Sequence, residues 1–160
     1  MLRDRSLPLG KGGRISIYTL AGAHVLIDVA GWFTDATSAV ATHGLFVPVL
    51  PTRVIDTRLG SGTLLAGDTR RLHIGGDLVV PPRTSSAIVA NLTATRSRAE
   101  GYVTAFPTAG GRPDVSNLNL SHQGETIANL ALVRLSDRSI DLFSQHTTDL
   151  IIDVSGWFTN

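Results

Sequence analysis

Residues 85–96, SSAIVANLTATR, set Ile88, Ala90, Leu92 and Ala94 on one side of an extended chain and Ala87, Val89, Asn91 and Thr93 on the other. A period of two in a segment holding β-branched residues marks a strand with two unlike faces. The pattern returns in GYVTAFP (101–107), VSNLNLS (115–121), ETIANLALVRL (125–135), RSIDLFS (138–144) and DLIIDVSGWF (149–158), each bounded by Gly, Pro, Asp or Ser. RVIDTR (53–58) and TRRLHI (69–74) are weaker candidates of the same kind. No apolar pattern of period 3.6 persists beyond two turns, so about eight short strands at close spacing predict an all-β, antiparallel β-sandwich of jelly-roll or immunoglobulin-like type.

A second feature divides the chain. LIDVAGWFTD at 26–35 returns as IIDVSGWFTN at 151–160, and a shift of 125 positions also sets Ile15 on Ile140 and Tyr18 on Phe143. With one gap, Leu9 and the glycines after it align with Leu135 and the SDR that follows. Self-similarity at a fixed spacing marks a repeat unit. The expectation is that residues 1–34 form the C-terminal hairpin of a preceding repeat, that DATSAVATHG (35–44) is a linker, and that 45–160 is one complete module beginning at LFVPVLPTR. Met1 would then fall inside a longer polypeptide. An orphan hairpin at roughly 14–34 would present unpaired edges, which invite docking on the following sandwich or pairing with the same hairpin of another copy in a homo-oligomer.

Composition narrows the partners. At 160 residues the chain suffices for one domain, which would remove roughly 70% of its unfolded surface from water. It has no cysteine, which excludes disulfides and thiolate metal sites. The net charge is +1 with no basic run, so nucleic acid and anionic membranes have no electrostatic claim on it. No stretch is long and apolar enough to span a bilayer as a helix. MLRDRSLPLGKGG lacks the apolar middle and cleavage site of an export signal, so any such signal is expected upstream.

Few residues offer chemistry. RVIDTR brackets Asp56 with Arg53 and Arg58, whose planar forks suit bidentate pairing, either to tie strands together or to hold an acidic ligand. The tie is preferred. Asp153 falls between Ile151 and Ser155 on the face opposite Leu150, Ile152 and Val154, where an unpaired acid is costly, and Arg53 or Arg58 is its expected partner.

Asn91, Asn117, Asn119 and Asn129 sit mid-strand, where Asn is disfavoured. With Tyr102 and other aromatics close in sequence they make either a structural cluster or a polar groove that reads sugar hydroxyls. Asn91-Leu-Thr and Asn119-Leu-Ser match the glycosylation tripeptide but fall in strands, and are read as chance. The five histidines have no helical metal spacing and no local carboxylate partner, no serine sits in a nucleophile elbow, and no Gly-rich loop precedes a helix. No cofactor and no catalytic residue is expected.

Taken in order, Pro51-x-Arg53-x-x-Asp56-Thr57-Arg58, Ser116-Asn-Leu-Asn119, Ala128-Asn-Leu130 and Asp153-Val-Ser-Gly-Trp-Phe158 resemble the signature of a repeat module widespread in secreted and cell-wall-associated actinobacterial proteins. The likeness spans nearly all of 45–158. It implies a non-catalytic, extracellular β module, often in tandem and often attached to peptidase, amidase or glycosidase domains. The functions then expected are display, spacing or cell-wall attachment, with binding of a cell-wall or other polysaccharide, or self-association through the hairpin, as alternatives.

Overall fold

The computed structural model describes residues 7–74, 80–81 and 85–160. Among them eight strands form two antiparallel four-stranded sheets. The strands are β1 (Phe46–Asp56), β2 (Thr69–His73), β3 (Ser85–Thr95), β4 (Gly101–Pro107), β5 (Leu118–Leu120), β6 (Ile127–Arg134), β7 (Ser139–Ser144) and β8 (Asp149–Thr159). The first sheet runs β1-β8-β3-β6 and the second β2-β7-β4-β5. Every connection except that from β4 to β5 crosses from one sheet to the other. The fold is therefore the all-β sandwich that the alternation predicts.

Period two decides what is buried. Ile88, Ala90, Leu92 and Ala94 of β3 point inward beside Ala131 and Val133 of β6 and Leu150, Ile152 and Val154 of β8. Val103 and Ala105 of β4, Leu118 and Leu120 of β5, and Ile140 and Leu142 of β7 face them from the second sheet. Large residues alternating with alanine let the two layers interlock at the density of a close-packed interior.

Strand β1 begins earlier than RVIDTR suggested and carries Pro48 and Pro51. It tolerates them because it is an edge strand, where a missing N–H removes no bond to a further neighbour. Its register against β8 shifts between Pro48 and Thr52 and again between Arg53 and Ile55. The turn from β6 into β7 is closed by a bridge between Ser136 and Ser139, with Asp137 and Arg138 both at positive φ (47° and 60°). Two consecutive left-handed residues give the twist that a tight antiparallel turn requires.

Two expectations need correction. Residues 15–34 form no strand, and every described residue from Leu7 to Phe46 is exposed. The hairpin at 14–34 is therefore absent, and no strand pairing joins this segment to a sandwich edge; residues 1–6 of the expected 1–34 unit lie outside the described residues. The reason lies in what the segment copies. Strands β7 and β8 belong to different sheets and are not hydrogen-bonded to each other, so a copy of them is no hairpin and needs flanking strands on both sides.

The glycine of the repeated phrase lies within β8, at Gly156. A Cβ there would clash with the Phe46 ring, so the residue makes room for an aromatic side chain from β1. Trp157 packs against the core, while Phe158 turns outward to Phe46 with ring centroids 5.3 Å apart.

Burial sets the expected stabilities. Ile152→Ala, in the middle of β8, should cost about 2–5 kcal/mol in urea denaturation. Leu50→Ala, at an exposed position of β1, should stay within about 0.5 kcal/mol of the parent.

Candidate functional site

The RVIDTR segment ends β1 and enters a 3-10 turn at Thr57–Leu59. Asp56 caps that turn, its Oδ1 accepting from the Arg58 backbone N–H at 3.2 Å. The Arg58 guanidinium then folds back on the same carboxylate, with Nε 2.8 Å from Oδ1 and Nη2 2.6 Å from Oδ2. Arg53 lies directly opposite Asp153 in the β1–β8 register and grips it by Nε at 2.8 Å and Nη2 at 3.2 Å. Its remaining Nη1 reaches Asp56 Oδ2 at 3.4 Å, so Arg58, Asp56, Arg53 and Asp153 form one continuous chain of alternating charge.

Of the two partners expected for Asp153, the register selects Arg53. Arg58 stands beyond the strand end and turns to Asp56 instead. The hydrogen bonds from Arg58, followed by the charges of both guanidiniums, hold the Asp56 carboxyl well below the usual range, at about 2, against the opposing effect of burial. Arg53 is raised by its bond to Asp153, and Arg58 by its bond to Asp56.

Beside this network Thr57, a member of the Asp56-Thr57-Arg58 motif, pairs with Asp149, which the sequence did not point to. Thr57 points the opposite way from its neighbours, donating from Oγ1 to Asp149 Oδ1 at 2.9 Å and accepting from the Leu150 N–H at 2.8 Å. Arg96 approaches the other Asp149 oxygen at 3.6 Å. The signal for Thr57 was its place in the Asp56-Thr57-Arg58 motif, and nothing local singles out Asp149.

The four asparagines do not share a surface. Asn91 lies on the outer face of the first sheet, opposite Asp153 on one side and Leu130 on the other, and donates to Thr93 Oγ1 at 3.3 Å. Asn129 faces inward from β6 and donates to the Asn117 carbonyl at 3.1 Å. Asn117 accepts from the Ala105 N–H through Oδ1 at 2.7 Å, so these two amides join β6 of one sheet to β4 and β5 of the other.

Asn119 and Tyr102 stand together on an outer face, opposite each other in the β4–β5 register of the second sheet. Asn119 accepts from Ser116 Oγ at 2.9 Å. Tyr102 stacks obliquely on Phe143 at 5.6 Å, and the Arg112 guanidinium lies 3.9 Å above that same Phe143 ring. The loop between β4 and β5 folds over this face, where Thr104 donates to the Val115 carbonyl at 2.8 Å and Thr108 to Asp141 Oδ1 at 3.0 Å.

A shallow polar cleft of about 450 Å³ opens at one end of the sandwich, between Ser85, Ser86, Arg134, Arg138 and Asn160. None of the residues singled out in the sequence lines it. Among the described residues no three His, Cys, Asp or Glu side chains are grouped to hold a metal ion, and no buried side-chain nitrogen or oxygen is left without a partner.

This arrangement constrains the chemistry of the RVIDTR network. A carboxylate working as a general acid or base needs a pKa near the working pH and a free edge toward its substrate. Asp56 has neither: it is ionised far below neutrality and enclosed by two guanidiniums. What the network does is hold the end of β1, the 3-10 turn and β8 in one geometry.

The depressed pKa fixes a pH dependence. Stability from Asp56 is complete above its unfolded pKa of about 4 and is lost as pH falls through the folded value of about 2. Urea melts should therefore show Asp56→Asn less stable than the parent at pH 7, with the two curves converging as pH falls from 4 to 2. Asn117→Ala strips the Ala105 N–H of its acceptor and should cost about 1–3 kcal/mol at any pH in this range.

No family model, curated protein or solved structure matches the chain, so its function must be argued from its own geometry.

Proposed function

We propose that the chain is a non-catalytic accessory module of a secreted or cell-surface protein, serving display, spacing or attachment at the cell wall. The observation that carries this reading is that the most distinctive polar residues grip one another. Arg53 holds Asp153, Arg58 holds Asp56, and Thr57 holds Asp149. A motif whose every carboxylate is engaged by a neighbour of the same fold reads as a fold signature. The duplicated phrase at 26–35 and 151–160 supports the same reading, because a fold signature is what tandem modules repeat.

One observation favours a second reading. Tyr102 and Asn119 set an aromatic ring beside a side-chain amide on an outward sheet face, with the guanidinium of Arg112 over the adjoining ring. Rings and amides in such proximity suit the apolar face and the hydroxyls of a sugar. Polysaccharide binding there would make the module an anchor to the wall polymer.

Retention of the full chain on insoluble cell wall, chitin and cellulose separates the two. The accessory reading predicts retention no greater than that of an unrelated β-sandwich, unchanged in Tyr102→Ala combined with Asn119→Ala. Saturable retention that the double substitution abolishes would move the function to sugar binding. Hydrolysis of any polymer, lost on a single Asp or His substitution, would overturn the non-catalytic reading.

A further inference from the structure

The segment at 15–34 is the largest apolar feature of the described chain that the fold does not use. Shifted by 125 positions it overlies 140–159 without a gap, and its apolar residues fall where the sandwich needs them. Ile140, Leu142, Leu150, Ile152 and Val154, all buried in the core, are matched by Ile15, Ile17, Val25, Ile27 and Val29, all exposed. The outward positions match as well. Asp28 stands for the Asp153 that Arg53 grips, and Gly31 for the Gly156 that admits the Phe46 ring.

Local structure repeats alongside the sequence. The turn leading into the segment is closed by a bridge between Gly10 and Arg14, the counterpart of the bridge between Ser136 and Ser139 that leads into β7. The far end is also in place. Thr159, the last residue of β8, is hydrogen-bonded to Gly44 and Leu45, and Phe33 already lies against Phe158 with ring centroids 6.1 Å apart. If 15–34 took the place of β7 and β8, residues 35–44 would need to cross only the gap between neighbouring strands, roughly 5 Å. An extended linker of that length reaches roughly 33 Å.

We propose that residues 15–34 are a second, interchangeable strand pair for the place held by β7 and β8, and that their partner is the β1–β6 scaffold of a module of this kind. In the intact chain the C-terminal pair holds the place. It alone supplies Thr148, which donates to the Thr95 carbonyl at 3.0 Å, and Asp149, which binds Thr57 and Arg96. Ala23 and His24 stand at those positions in the N-terminal copy. One scaffold and two strand pairs leave one pair over, which is why 15–34 lies exposed. A module whose own last pair is missing or displaced offers the vacancy that segment fits.

The inference deepens the repeat-module reading and rests on its duplicated sequence, not on the absence of a sugar site; a positive sugar-binding result would leave it standing. It is tested in the full chain, which has no cysteine of its own. Thr52 is the register partner of Val154, so Thr52→Cys with Val29→Cys reports the N-terminal pair in place, and Thr52→Cys with Val154→Cys reports the C-terminal pair. In the otherwise unchanged chain the second combination should form its disulfide and the first should not.

Ile152→Asp then disables β8. The expected result is a chain that still melts cooperatively at a lower temperature and now forms the disulfide between positions 29 and 52, within one chain or between two copies. Adding Ile27→Asp should abolish both. With the milder Ile152→Ala, the same disulfide should rise above its level in the unchanged chain. The proposal is overturned if Ile152→Asp is as unfolded as the double variant, or if either Ile152 variant folds without gaining that disulfide.

Discussion

Both sheets close on residues 139–159. β8 lies between β1 and β3 in the first sheet, and β7 lies between β2 and β4 in the second. Without β7 and β8, β1 loses its one neighbour in the first sheet and β2 its one neighbour in the second. The inward side chains of β7 and β8 also supply the middle of the core, so pairing and burial depend on the same segment. A sandwich with these connections has to bring its final strands against β1, roughly a hundred residues away, before either layer is complete. Topologies dominated by such distant pairings fold slowly, because loop closure precedes the contacts that offset it.

The charged network follows from that arrangement. Asp153 and Asp149 arrive with β8, and their partners Arg53, Thr57 and Arg96 wait on β1, the 3-10 turn and the end of β3. The Arg53–Asp153 pair is partly exposed, and ion pairs in such positions contribute little to overall stability, whereas Thr57 and Asp149 are buried. The effect of these contacts is on register. Sliding β8 by one residue would turn every inward side chain outward, and would also part Asp153 from Arg53 and leave the Leu150 N–H without Thr57. Apolar burial stabilises the sandwich, and the polar bonds select one alignment.

Much of this was legible in the sequence, for a definite reason. Period two fixes the faces of a strand, so the inward sets of β3 and β8, and the stranding of Asp153 on the outer face, could be read directly. GYVTAFP coincides with β4 residue for residue, and TRRLHI overruns β2 by one residue. The length of β1 was harder to see, because Pro48 and Pro51 argue against a strand unless its edge position is known. The asparagines misled because parity tells which face a residue takes but not which sheet it belongs to. Asn91 and Asn119 ended on outer faces of different sheets, while Asn117 and Asn129 bridge between them. Nothing local in 15–34 distinguishes a strand with neighbours from the same residues without them, so the segment read as a hairpin although its counterparts β7 and β8 never pair with each other.

Native-state hydrogen exchange tests the central claim that residues 139–159 are the element on which both sheets close. The account predicts that the amides of Ile140–Phe143 and Leu150–Val154 exchange only by global unfolding, while those of 15–34 exchange at nearly unprotected rates. Fast exchange in β8 while β3 and β4 stay protected would contradict it, and so would strong protection across Val25–Val29.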